Sequence, residues 1–198
     1  MSRPADEVLI KITSDAQITD GRFRGRTLVN SVSPYALQTN RKLRDTVFNL
    51  ISKRVKGGRV LDLGAGSGTI GIEAISRGAM LATLVERSAR MCSFLRKNLA
   101  EIGIKDGHSE VVESEAFPFL KKAALRKRVW DIVYLDTPEC DEHTAILELL
   151  GRGYGIKPRG IVIVSHPASS TCPANLNLLK RWRTIEHEET ILTIYERI

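Results

Sequence analysis

From residue 59 onward, short apolar runs alternate with amphipathic stretches. Residues 59–63 read as a strand, followed by helical spacing over 69–77 that stops at Gly78. The pairing then repeats. Residues 81–85 form a strand, and Ser88 caps a helix that runs to Ile102 and stops at Gly103. Strands over 110–112 and 130–135 alternate with helices over 116–127 and 142–150, and a fifth strand covers 161–164. The tail, 181–197, reads as two further strands. Ahead of this series, Val8, Ile10 and Ile12 alternate with polar neighbours, and Asp20-Gly21 and Gly25 punctuate. Helical spacing over 38–53 places Leu43, Val47, Leu50 and Ile51 on one face, and Gly57-Gly58 ends it.

Strands alternating with helices predict an α/β fold: an open, twisted, mostly parallel sheet, wrapped on both faces, with an antiparallel last strand. Residues 1–36 read as an N-terminal β-hairpin arm. Residues 37–198 read as a Rossmann-like domain, the two making one structural unit. Ligands of such sheets sit at the carboxyl ends of the strands, so functional residues are expected just after Leu63, Val85, Val112 and Leu135.

Residues 61–68, Leu-Asp-Leu-Gly-Ala-Gly-Ser-Gly, lie where the first strand turns into its helix. Glycines let the backbone turn sharply and approach a ligand, and the helix start offers free N–H groups. This pattern predicts a nucleotide-cofactor loop. Residues 66–71 also spell the dinucleotide pattern G-x-G-x-x-G, but its first glycine should follow the strand directly, and that position is Gly64. Asp62 argues further against a pyrophosphate, which it would repel, and for a cationic ligand bearing an amino acid, such as S-adenosylmethionine. Glu86 ends the second strand and can accept hydrogen bonds from both hydroxyls of a ribose.

Composition adds a partner. The 198 residues are 42% apolar and 27% charged, as in ordinary globular chains, and no apolar run is long enough to cross a bilayer. The first seven residues lack an apolar export core, so a cytoplasmic location with no membrane partner is expected. Cys92, Cys140 and Cys172 make neither a disulfide framework nor a metal-spaced pair. His108, His143, His166 and His187 show no ligand spacing, so no metal is expected. Cys140 has no base partner in view, and Trp130 and Trp182 read as core. The net charge of +7 is uneven. Between Gly21 and Arg59, ten basic residues face the single acid Asp45, a block of +9 that leaves −2 on the remainder. One-signed charge of that density suits a polyanion, above all nucleic acid. Arg22, Arg24, Arg26, Arg41, Lys42 and Arg44 are the candidate contacts, and 121–128 carries a second basic run.

The ensemble resembles the RsmD family of bacterial small-subunit ribosomal RNA guanine-N2 methyltransferases. The likeness rests on Gly-Arg-Phe-Arg-Gly-Arg-Thr-Leu at 21–28, Arg-Asp-Thr-Val-Phe-Asn at 44–49, the glycine loop at 60–68, Gly-Ile-Glu-Ala-Ile-Ser-Arg-Gly-Ala at 71–79, Val85-Glu86, and Val-Val-Glu-Ser-Glu-Ala at 111–116. The resemblance implies a class I methyltransferase fold and S-adenosylmethionine as cofactor, leaving S-adenosylhomocysteine as product. It further implies ribosomal RNA or the assembling small subunit as partner, met by a monomer or a weak dimer. Asp62, Gly64, Ala65, Gly66, Gly68, Glu86, Arg87, Glu115, Ala116 and Asp136 would then hold the cofactor. Asp136, Thr137 and Pro138 would form the reaction motif.

Departures from the family pattern fall on the substrate side. The family's fourth strand ends in Asp/Asn-Pro-Pro-Phe/Tyr, whereas this chain has Asp136-Thr137-Pro138-Glu139. An exocyclic base amine is a weak nucleophile because its lone pair is delocalised. A carboxylate and a backbone carbonyl must accept its hydrogens, and Asp136 and residue 137 supply both. The aromatic normally stacks on the base, worth about 1–3 kcal/mol, and Glu139 cannot. Tyr35, Phe117 and Tyr134 are the aromatic candidates to replace it. Glu115 stands where the family has Asp or Asn, and Leu37-Gln38-Thr39 where it has Arg-Pro-Thr. Three other readings therefore stay open: an RNA-binding or assembly factor without activity, a methyltransferase for another nucleic acid such as an adenine-N6 enzyme, and, disfavoured by Asp62 and the loop register, a dinucleotide oxidoreductase.

Overall fold

The structure, a computed structural model, describes residues 16–29, 41–137 and 140–198. Val8, Ile10, Ile12, Tyr35, Leu37-Gln38-Thr39, Pro138 and Glu139, all invoked above, lie outside the described residues, as does the side chain of Cys140.

Eight strands form one sheet: β1 (Arg59–Leu63), β2 (Leu81–Glu86), β3 (Ser109–Glu113), β4 (Val129–Leu135), β5 (Gly155–Pro167), β6 (Asn175–Leu176), β7 (Leu179–His187) and β8 (Thr190–Arg197). Their order is β3-β2-β1-β4-β5-β8-β7-β6. The first five are parallel, and β8 runs antiparallel to β5 and to β7. Among the described residues the helices are α1 (Arg41–Leu50), α2 (Ser52–Val55), α3 (Thr69–Ser76), α4 (Ala89–Ile102), α5 (Ala116–Leu125) and α6 (Cys140–Gly151). None is long and apolar enough to cross a membrane.

Strand periodicity builds two cores from alternate residues of the same strands. Leu61, Leu63, Val133, Leu135, Val162 and Val164 point to one face, with α5 and α6. Val60, Ile132, Tyr134, Ile161 and Ile163 point to the other, with α1, α2 and α3. Both faces of the central strands are buried, so they read as continuous apolar runs, the signature of a covered parallel sheet. The α4 boundaries follow local chemistry: Ser88 Oγ accepts from Met91 N–H at 3.3 Å, and Gly103 closes the helix at φ 79°.

The structure departs from the sequence expectations in three places. β5 begins six residues earlier than the apolar run at 161–164 suggests, because Gly155 and Ile156 pair with Val129 and Trp130 before a register shift that alternation does not reveal. The helix expected over 38–53 breaks at Ile51 into α1 and α2. Within the expected hairpin arm, residues 16–29 make a single antiparallel bridge, Gln17 to Thr27, and otherwise turns. This segment lies against the body. Ala16, Ile18 and Leu28 are buried with Ile72, Ile75, Leu95 and Leu99.

Candidate active site

The loop after β1 is anchored before it reaches any ligand. Gly64 and Ala65 both donate to Val85 O, at 3.0 Å, which ties the loop to the end of β2. Across the sheet, Asp136 N donates to Leu63 O at 2.9 Å. The three strand ends therefore meet at Gly64. Its φ is 87°, and a Cβ there would lie 2.2 Å from Asp136 O, so only glycine fits. Gly66, at φ 54°, has nothing within 4 Å of where its Cβ would be, so the loop presents open backbone at its crest. Gly68 is the left-handed cap of α3 and packs against Leu95 and Ile72. Ala65 is buried beside them.

Acids converge on this edge. Asp62 is buried and accepts from Gly71 N–H at 3.0 Å, which pins the start of α3 to β1. Burial, opposed by that hydrogen bond and reinforced by the charges of Asp136 and Glu86, pushes its carboxyl up to about 7. Glu86 bridges two backbone donors, with Oε2 accepting from Gly66 N–H at 2.9 Å and Oε1 from Ser88 N–H at 2.8 Å. Its own carbonyl accepts from Ser114 N–H, which brings the loop after β3 alongside. Glu115 leads that loop into α5, exposed and making no capping bond, and Ala116 behind it is buried. Arg87 is exposed beside Glu86. Three carboxylates near one glycine crest favour a cation and disfavour a pyrophosphate.

The fourth-strand motif holds a contact that sequence reasoning missed. His143, buried on α6, places Nε2 2.8 Å from the carbonyl oxygen of Thr137. A carbonyl can only accept, so Nε2 carries the proton. Burial holds the imidazole below its ordinary pKa of 6.5, against the pull of the Thr137 carbonyl, and His166 adds to the depression. Among the described residues, the buried Thr137 Oγ1 finds no partner. Neither described aromatic stands free to replace the stacking residue: Tyr134 is buried in the core and Phe117 packs partly buried against it. His166, on β5, lies inward, bonded to Thr193 Oγ1 at 2.9 Å.

Asn98 was not singled out by the sequence, and it couples the first segment to the glycine loop. Its buried amide accepts from Val29 N–H and donates to Val29 O and to Ser67 O. An isolated asparagine in a helical stretch gives no warning of this.

The candidate RNA contacts divide. Arg22, Arg24, Arg26, Arg41 and Lys42 are exposed. Arg26 also donates to Glu101 O, and Arg41 to Gln17 Oε1. Arg44 corrects the expectation: it is 1% exposed, donates to Gln17 O at 2.7 Å, and lies 3.6 Å from the buried Glu73. It cannot reach a phosphate. Arg77, not singled out, joins Glu73, Asp45 and Thr19 around the same knot. Trp182 is a second correction, since it is 41% exposed rather than core.

The family profile described as Conserved hypothetical protein 95 matches residues 16–196. The chain belongs to this family, the RsmD family. Among solved structures, one from Escherichia coli provisionally named methyltransferase yhhF superposes with a TM-score of 0.80 at 28% identity, covering 91% of this chain and 97% of that one. The small-subunit methyltransferase D of Buchnera aphidicola from Acyrthosiphon pisum is 36% identical over 125 residues, which span 63% of each chain. A Bacillus subtilis relative, provisionally named rRNA methyltransferase YlbH, is 28% identical over 91% of this chain and 98% of its own length. The chain thus spans just under two thirds of the Buchnera relative and nearly all of the Bacillus one. The sheet order and the Gly64–Asp136 junction described above make it a class I methyltransferase fold.

Proposed function

We propose that the chain is an S-adenosylmethionine-dependent methyltransferase acting on the exocyclic N2 of a guanine in small-subunit ribosomal RNA. The observation that carries this reading is the junction of β1, β2 and β4, where an open glycine crest, Glu86 and Asp136 share one strand edge. The residues present fit the cofactor: the acids of Asp62, Glu86 and Asp136 suit a ligand carrying a sulfonium and an ammonium, and Gly66 leaves room for it. The cofactor, when bound, supplies an electrophilic methyl group.

Gly64, Ala65, Gly66 and Gly68 cradle the methionine end, Glu86 takes the ribose, and Arg87, Glu115 and Ala116 border the adenine. Asp136 accepts one hydrogen of the target amine. The carbonyl of Thr137 accepts the other through its second lone pair, the first being held by His143. This alignment of nucleophile and methyl, with charge handled by fixed groups, is what the reaction needs. RNA phosphates meet Arg22, Arg24, Arg26, Arg41 and Lys42. The protein works in the cytoplasm, as a monomer, on the RNA or the assembling subunit.

A reading without activity is favoured by Glu139, the carboxylate in the family's aromatic position. Labelled cofactor offered with unmethylated small subunits, naked ribosomal RNA and DNA separates the two. Label on guanine N2 of small-subunit RNA is the expected result. Tight binding of cofactor and RNA with no label transferred would overturn the enzyme.

A further inference from the structure

The exposed Trp182 belongs to a surface remote in the sheet from the glycine crest. β6 and the residue before it pair with Leu179, Lys180 and Arg181, so β7 from Trp182 onward forms the outer edge of the sheet. The register slips between Arg181 and Arg183, which makes Trp182 the extra residue of a bulge. Bulges re-aim side chains. Here the bulge presents an indole 41% exposed, with the Arg183 guanidinium 5.9 Å from the ring centroid. Lys180, Arg181 and Arg183 are exposed around it. Cations and a bulge protect a sheet edge from pairing, but edge protection gives no reason for a tryptophan.

A second feature is linked to this strand through β8. A cleft of about 330 Å³ is lined by Lys53, Arg54, Lys56 and Arg159. Its one acid, Asp131, is occupied by Lys157, with Nζ 2.8 Å from both oxygens. Arg54 bonds Glu196 at 2.7 Å, and Glu196 sits opposite Lys180 in the β7–β8 register. The cleft opens at the amino ends of β1 and β4, beside Gly58 and Asp131, whereas the glycine crest is at the carboxyl ends. Lys53, Arg54 and Lys56 of the basic block thus lie at the end of the sheet opposite the glycine crest.

We propose that β7 and the cleft beside α2 form a second RNA surface, on which Trp182 stacks against an unpaired base while the surrounding cations hold its phosphates. A positive groove with an exposed aromatic is the usual platform for single-stranded nucleic acid. The proposal rests on RNA being the substrate. It adds a place where unpaired RNA is gripped away from the reaction.

The chain has two tryptophans, and Trp130 is fully buried, so emission quenching by a ligand reports on Trp182. The test titrates the full chain with a short oligoadenylate and with an RNA duplex of equal length, and measures methyl transfer to small subunits in parallel. Oligoadenylate should quench wild-type emission, and the duplex should quench it less. Trp182→Phe should bind with little loss but without the quench, and Trp182→Ala should weaken oligoadenylate binding by about tenfold with cofactor affinity unchanged. Lys180→Glu with Arg183→Glu should weaken both probes and flatten the salt dependence. Unchanged affinity in Trp182→Ala, or a quench that persists in Trp182→Phe, overturns the proposal. Methyl transfer without any oligoadenylate binding removes this surface and leaves the enzyme standing. Quenching without methyl transfer does the reverse.

Discussion

The cofactor edge and the basic block before β1 are both dense in sequence signal, yet they differ in how that signal maps to space. At the cofactor edge, Gly64, Glu86 and Asp136 each end a strand, and parallel pairing brings strand ends together. Local motif and final position coincide there. In the block at 21–59, charge identity says nothing about direction. Arg44 turns inward to Glu73, Arg41 stays out, and Lys53, Arg54 and Lys56 go to the far end of the sheet. A motif tied to backbone geometry carries further than a charge count.

Arg44 sharpens this contrast most. Arg44 is fully buried and shares Glu73 with Arg77, so its replacement by alanine empties a buried site and removes one of the two cations on Glu73, and should cost about 3 kcal/mol. At roughly 2–4 °C per kcal/mol in a chain of this size, thermal melting should fall by about 10 °C. A melting point within a degree or two of wild type would return Arg44 to the RNA surface. Asp136→Ala should leave folding close to wild type, weaken cofactor binding only modestly, and reduce methyl transfer by about 10²–10³-fold, the usual loss for a group aimed at the reacting centre. Kinetics showing full activity would move the reaction away from the β4 end.

Asp62 tests the electrostatics of the cofactor edge. Its folded-state pKa near 7 lies above the ordinary 3.8, so the folded chain keeps a proton that the unfolded chain has lost. The stability from neutral Asp62 is present in acid and lost as pH rises through about 7. A cationic cofactor favours the carboxylate, so cofactor affinity should fall by up to about tenfold per pH unit below 7. Asp62→Asn, which can still accept from Gly71 N–H, should flatten both profiles; a mutant whose profiles overlay wild type contradicts this role.

His143 makes a smaller claim on the same edge. His143→Ala should lower kcat by about tenfold with KM for cofactor unchanged, since it removes one hydrogen bond of roughly 1 kcal/mol from the Thr137 carbonyl. His143→Gln, which can place an N–H near Nε2, should recover much of it. Loss of cofactor binding instead would make the histidine a packing residue. Smallest is the basic segment. Replacing Arg22, Arg24 and Arg26 by alanine should reduce the salt slope of RNA binding by about 2–3, at roughly 0.7–0.9 per phosphate contact. An unchanged slope would leave that face without a role in RNA binding.

The same divide explains what was legible in the sequence. Alternating apolar runs located β1 to β4 within a residue or two, because covered parallel strands need apolar side chains on both faces. The early part of β5 was hidden because Gly155, Pro158 and Gly160 break the apolar run, although Gly155 and Ile156 still pair with β4. The glycine loop, Glu86 and Asp136 were visible because each has a backbone reason to be where it is. Asn98, Arg77 and His143 were not, since their contacts lie 31, 58 and 6 residues away in the chain and follow no period. Trp182 was read as core because a tryptophan in a strand is usually buried, and nothing local marks a bulge.

The central claim is that the junction at Gly64 and Asp136 performs methyl transfer to ribosomal RNA despite Glu139. It is tested most directly by incubating the protein with labelled S-adenosylmethionine and small subunits lacking the modification, and mapping the label by nuclease digestion. The account predicts label on a guanine N2 of small-subunit RNA with wild-type protein and none with Asp136→Ala. Cofactor and RNA bound tightly with no label transferred by the wild type would contradict it.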